Sequence, residues 1–332
     1  MRFLTALLGI GLLAAAPRPV TKAKSVGRTK APSYDVSAIN DNQNRETVTP
    51  DSAGSAVVRA QILLDRAHFS PGEIDGRWGD NLRVAIVGYQ AARMLNASGV
   101  VDDDTWKSLD ADTAQAVVPY TITPDDVAGP FVKIPQGMMA QAKLKGLGYQ
   151  SVQEKLGERF HANPALLARI NPGKSLLKAG AEIMVPNVAR EYVMPADKVV
   201  VSKKNRTVSA YGADGMLLAQ YPATMGSEHD PLPIGDWKIT EVDHYPWFHY
   251  NPALFWDAKA KDSKAKIAPG PNNPVGVVWL NLSKEHYGIH GTPEPSRIGH
   301  TESHGCIRLT NWDAEELSKM VKVGTPAILQ EE

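Results

Sequence analysis

The chain has 332 residues, 43% hydrophobic and 22% charged; that length holds two or three domains, and that composition excludes a largely disordered chain. Lys+Arg and Asp+Glu both number 36, so the formal net charge is zero and no overall field draws nucleic acid or anionic lipid. The single cysteine, Cys306, excludes an intrachain disulfide framework and a multi-cysteine metal knuckle.

Met1-Arg2 followed by the apolar run Phe3–Ala16, ending in Ala14-Ala15-Ala16, has the form of a cleavable secretory signal over residues 1–16. It is shorter than the about 20 residues that span a bilayer as a helix. The expected location is therefore outside the cytoplasm, in the periplasm or cell envelope. Residues 17–50 are rich in Pro, Ser, Thr and Asn and carry Arg18, Lys22, Lys24, Arg28 and Lys30 with no acid between them; they read as a flexible linker.

Over 51–118, Val57, Ala60, Leu64 and Ala67 recur at the spacing of one buried helical face, and Leu82, Ala85, Ile86 and Tyr89 repeat it. Pro71-Gly72 and Asp75-Gly76 are turn signals between them. A third helix near Asp104 carries Trp106 and Leu109 inward, so a small three-helix bundle is expected. A second linker, 119–137, precedes a small α+β module at 138–190. There Leu156 and Phe160 mark one helix, Asn163-Pro164 caps another, and Ile183–Pro186 closes as a strand.

Residues 191–332 read as mainly β. Thr207–Tyr211 and Met216–Tyr221 flank an Asp214-Gly215 hairpin turn, Trp237–Val242 alternates, and Val275–Leu282 is a β-branched and aromatic run. One helix is expected over Asp313–Val321, entered through Thr310-Asn311. The aromatic-rich insert His244–Asn273 is either a wall over a site or a buried core segment.

Seven of the nine histidines lie after residue 228, and His286, His290, His300 and His304 surround the only thiol. A lone cysteine is either an inert buried residue or a nucleophile. The thiolate is the attacking form, and an adjacent imidazole can take its proton. His290 ends one strand-like stretch and Cys306 begins another, so a sheet can join them. Gly305 beside the thiol lets backbone N–H groups approach a reacting carbonyl. His300, His304 and Cys306 have a zinc-like spacing, but Thr301-Glu302-Ser303 misplaces the acid and Gly305 opposes a helix. No metal and no cofactor is expected.

Three resemblances complete the reading. Ala60–Leu109, with Ile74-Asp75-Gly76, Trp78-Gly79, Tyr89-Gln90, Gly99-Val100-Val101 and Thr105-Trp106, resembles the three-helix peptidoglycan-binding domain family. Leu156–Pro186 resembles a LysM domain, a family that binds N-acetylglucosamine polymers, although either module serves equally as a packing unit. Ile289-His290-Gly291-Thr292 and Ser303-His304-Gly305-Cys306-Ile307-Arg308-Leu309 with Asn311 resemble the L,D-transpeptidase (YkuD-type) catalytic-domain family, and Pro274-Val275-Gly276, Trp279 and Gly324-Thr325-Pro326 fit it.

That last resemblance implies a YkuD-type β-sandwich with Cys306 as nucleophile and His290 as its base. The Gly291 carbonyl orients the imidazole, and the N–H groups of Gly305 and Cys306 form an oxyanion hole. His304 either aids that hole or makes a structural hydrogen bond. Arg308 holds a substrate carboxylate or pins the loop through an ion pair, Asn311 caps a helix, and Ser303 is a turn residue shaping the hole. The implied partner is peptidoglycan, through its stem tetrapeptides and glycan strands. Cys306 would attack the carbonyl of the third stem residue, release D-alanine and pass the acyl group to an amine in a 3→3 cross-link. Water as acceptor would give a carboxypeptidase, and a protein lysine an anchoring enzyme. A catalytically inactive wall-binding protein is the alternative of a different class.

Overall fold

The computed structural model describes residues 34–189 and 194–332; the signal-like run and the basic residues Arg18–Lys30 lie outside the described residues. Asp35 opens α1 (Val36–Asn40) by accepting from the Ser37 and Ala38 N–H groups. Ile39 and Val48 are fully buried, so residues 34–50 are part of the fold and not of a flexible linker. Each is an isolated apolar residue in a polar stretch, which leaves no periodic signal although it fills a core.

Helices α2 (Ser55–Arg66), α3 (Asp80–Ala92) and α4 (Asp103–Leu109) enclose Leu64, Leu82, Ile86 and Trp106. β1 (Val117–Thr121) follows directly. The chain then forms α5 (Met138–Gln141), α6 (Val152–Arg159) and α7 (Pro164–Ile170), and returns in β2 (Glu182–Pro186) antiparallel to β1. Ser151 and Asn163 cap α6 and α7 through their side chains. The stretch 119–137, expected as a linker, thus supplies most of a strand. It also supplies Asp126, fully buried, which accepts from Tyr120 Oη at 2.5 Å, Thr123 N at 2.8 Å and Arg159 at 2.8 Å. Its partner strand lies too far along the chain to leave a hairpin signal.

The remaining strands are β3 (Lys198–Ser202), β4 (Thr207–Tyr211), β5 (Leu217–Pro222), β6 (Thr224–Met225), β7 (Gly235–His244), β8 (Phe248–Tyr250), β9 (Ala265–Ile267), β10 (Val278–Leu282), β11 (Gly288–His290), β12 (Ile307–Arg308) and, after α8 (Asn311–Met320), β13 (Pro326–Gln330). Nine of them form one mixed sheet in the order β5-β4-β3-β13-β7-β10-β11-β12-β6, and β8 and β9 pair separately. β7 serves both halves: Gly235–Lys238 pairs with β13, Ile239–His244 with β10. Val201 and Tyr221 from one half, Leu280, Ile289 and Ile307 from the other, and Leu317 of α8 share one core.

The amino-terminal segments are welded to this sheet. Ile62 and Ile74 share a core with Leu156 and Ile183. Phe69 bridges Gln220 on the edge strand β5, with Ser70 N donating to Gln220 O and Gln220 N to His68 O, both at 2.9 Å. The His161 ring stacks on Trp312 of α8 at 5.0 Å. Among the described residues no helix is long and apolar enough to cross a membrane.

Candidate active site

β11 and β12 run parallel, pairing Ile289 with Ile307 and His290 with Arg308. Side chains alternate across a sheet. Ile289 and Ile307 enter the core, both fully buried, which turns His290 and Arg308 to the other face. Cys306 stands immediately before β12, so a short parallel pairing between distant segments brings the histidine and the thiol to one side. Both line a cavity of about 1080 Å³.

The imidazole is held from two directions. Its Nδ1 donates to the Gly291 carbonyl at 2.7 Å; a carbonyl only accepts, so Nε2 keeps its lone pair. Trp279, directly opposite His290 on β10, stacks on the ring at 5.2 Å and 19°. Burial, and secondarily the Arg308 charge, push the His290 pKa down to about 3, against a smaller opposing effect of the Gly291 bond. Burial raises the Cys306 thiol above its ordinary value, with the Gly288 backbone and Arg308 pulling the other way. The thiol points toward the His286 carbonyl at 3.7 Å. Burial thus favours the neutral form of both groups.

The loop before Cys306 is built for close approach. Gly305 has φ +93°, and a Cβ there would lie 2.7 Å from Cε1 of Tyr287. Ser303 Oγ donates to the Cys306 carbonyl at 2.6 Å and accepts from Gly226 N at 2.8 Å, so it braces the loop from below.

One expected role changes, and two that were open meet an observation. Asn311 is not the cap of α8; Thr310 is, accepting from Asp313 N. The Asn311 amide instead accepts from Val277 N and donates to Glu158 Oε1 and Pro271 O, each at 3.2 Å. A Cβ at Gly291 would collide with its Oδ1, which is why glycine stands there. His304 makes a structural bond: Nε2 contacts Asp257 at 2.8 Å and the ring packs edge-on to Phe255 at 5.0 Å. For Arg308 the loop-pinning ion pair does not form among the described residues, and its buried Nε has no hydrogen-bond partner.

The aromatic insert is a wall. Trp247, Phe248, Phe255 and Trp256 line the cavity, with Trp247 and Trp256 54% and 60% exposed. Tyr250 and Ile267 pack its base against Leu147, and Leu147 N donates to Pro269 O at 2.9 Å. The second small module therefore buttresses the wall. Sequence reasoning missed that contact, the Tyr287 lid on Gly305 and the loop carrying Asp230. The adjacency of Tyr287 to the histidine strand was the one available signal.

Residues 196–329 match the family described as "L,D-transpeptidase catalytic domain", and residues 53–109 match "Putative peptidoglycan binding domain". The Bacillus licheniformis protein named "Putative L,D-transpeptidase YkuD" is 32% identical over 174 residues, covering 52% of this chain and 89% of that protein. The Bacillus subtilis protein of the same name is 31% identical over 168 residues, covering 50% and 85%.

Proposed function

Since the chain belongs to the L,D-transpeptidase catalytic-domain family, it is a cell-wall acyltransferase, and we propose that Cys306 and His290 carry the transfer. The observation behind this is the β11–β12 pairing, which turns both side chains into one cavity while Gly291 fixes the imidazole with Nε2 bare.

The reaction begins from a neutral pair. As the sulfur attacks the carbonyl of the third stem residue, its proton passes to His290 Nε2, and His290 returns it to the departing D-alanine nitrogen. The N–H groups of Gly305 and Cys306 hold the developing oxyanion; losing one such donor typically costs about 2.7–4 kcal/mol. Arg308 binds a substrate carboxylate, to which its unsatisfied buried Nε is suited. Ser303 and Asn311 hold the loop and the Gly291 turn, and His304 anchors the aromatic wall. An amine from a second stem resolves the thioester.

The amino-terminal helical module and a LysM-like module over 138–190, which carries α6, α7 and β2, position the enzyme on glycan strands. The run at 1–16 directs export to the periplasm or envelope. Incubation with a muropeptide bearing a stem tetrapeptide should release D-alanine and yield a 3→3 dimer, read by liquid chromatography and mass spectrometry. Wild type and Cys306→Ala behaving alike, with no D-alanine released, would leave only wall binding.

A further inference from the structure

The cavity is lined by two half-buried charged residues, each with one buried atom that the protein itself does not satisfy. Arg308 Nε and Asp230 Oδ2 are both shut off from solvent without a hydrogen-bond partner, and both residues line the cavity of Cys306. Buried charges without partners are costly, so a ligand that supplies both complements is the natural occupant. Among the other acids lining the cavity, Asp257 contacts His304 at 2.8 Å, Asp262 accepts from Tyr250 Oη at 3.0 Å, and Glu285 faces His286 at 3.4 Å.

The placement of the two groups is fixed. Arg308 lies opposite His290 on β12. Asp230 sits on the loop between β6 and β7, closed by Ser227 N to Asp230 O at 2.9 Å and Asp230 N to Ser227 Oγ at 3.0 Å. Ser303 ties that loop to the Cys306 carbonyl through Gly226. Arg308 and Asp230 line the same cavity as Cys306, and their charges act on the thiol with opposite sign.

We propose that Arg308 and Asp230 form one subsite for an α-amino acid end, the guanidinium taking the carboxylate and Asp230 the nitrogen on the same carbon, and that each turnover uses it twice. The inference rests on the transpeptidase reading above. In acylation the subsite holds the terminal D-alanine: the C–S bond forms, the C–N bond breaks, and the Cys306 proton reaches the leaving nitrogen through His290. The acceptor nitrogen at the far end of a diaminopimelate also bears a carboxylate on its own carbon, so it fits where D-alanine left. It arrives as an ammonium ion and yields one proton to solvent. It then attacks the thioester, the C–S bond breaks, and its second proton returns to sulfur through His290. A lysine side chain fills only half of this subsite and water neither half, so the pair selects a second stem over a protein acceptor.

The test gives the full-length protein a stem tetrapeptide together with isotope-labelled D-alanine, its amide, or cadaverine, and reads labelled amide product and intact enzyme mass. Wild type should incorporate D-alanine about tenfold or more faster than the other two, as expected for a charge-assisted pair. Arg308→Lys and Asp230→Asn should each bring that ratio toward one. Equal use of the three amines by wild type, or the wild-type ratio in both variants, overturns the subsite; the wild-type ratio decides even if a variant fails to fold. Acylated Cys306 with indiscriminate acceptors removes the subsite alone, whereas no acylation of wild type removes the transpeptidase reading with it.

Discussion

Replacing His290 with alanine is expected to slow acylation of Cys306 by about 10²–10⁴-fold, the range for loss of a positioned general base. The effect is large because burial favours the neutral thiol: it raises Cys306 and holds His290 near a pKa of about 3, so little thiolate bypasses the base. Stopped-flow acylation by a stem tetrapeptide measures it, and a rate within threefold of wild type would remove His290 as the base. The same environment sets the pH profile. The imidazole stays an unprotonated acceptor down to about pH 3, so kcat/KM should show no acid limb from histidine near its ordinary 6.5. For stability the sign is opposite. Between about pH 6.5 and 3 the unfolded chain binds a proton that folded His290 refuses, so this group's contribution falls as pH falls through that window.

The second large effect concerns residues 34–189. Their deletion is expected to lower the melting temperature of the catalytic part by about 10 °C or more, or to make it insoluble. Gln220 loses its backbone bonds to His68 and Ser70 and its side-chain bond to Val84 O. Trp312 loses the His161 stack and Asn311 loses Glu158. The aromatic wall loses Leu147 from its base. At about 1 kcal/mol per lost buried hydrogen bond and about 2–4 °C per kcal/mol for a domain of this size, these losses exceed the threshold. Removal also bares the edge of β5, a site for aggregation. Calorimetry of the truncated chain decides; an unchanged transition would make the amino-terminal modules the separable wall-binding units that sequence alone suggests.

What was legible in the sequence was local. The i, i+3, i+7 spacing located α2 and α3, the Asp214-Gly215 turn located the β4–β5 hairpin, and Asn163-Pro164 located the start of α7. That His290 and Cys306 would come to one side of a sheet was legible because His290 closes β11 and Cys306 immediately precedes β12. Contacts between segments were not. β1 pairs far along the chain, Ile39 and Val48 have no periodic neighbours, and Asn311 looked like a cap because only the fold brings Glu158 and Gly291 to it. His304 presents the same side chain to sequence whether it aids an oxyanion or holds Asp257. Asp230 stood in a loop without a motif, and its significance rests on burial and on what shares its cavity.

Intact-mass analysis of the protein after brief exposure to a stem tetrapeptide tests the central claim most directly. A covalent gain equal to the tetrapeptide minus D-alanine, mapped to Cys306 and abolished in Cys306→Ala, is the predicted result. An adduct on another residue, or unmodified enzyme while D-alanine accumulates, would contradict it.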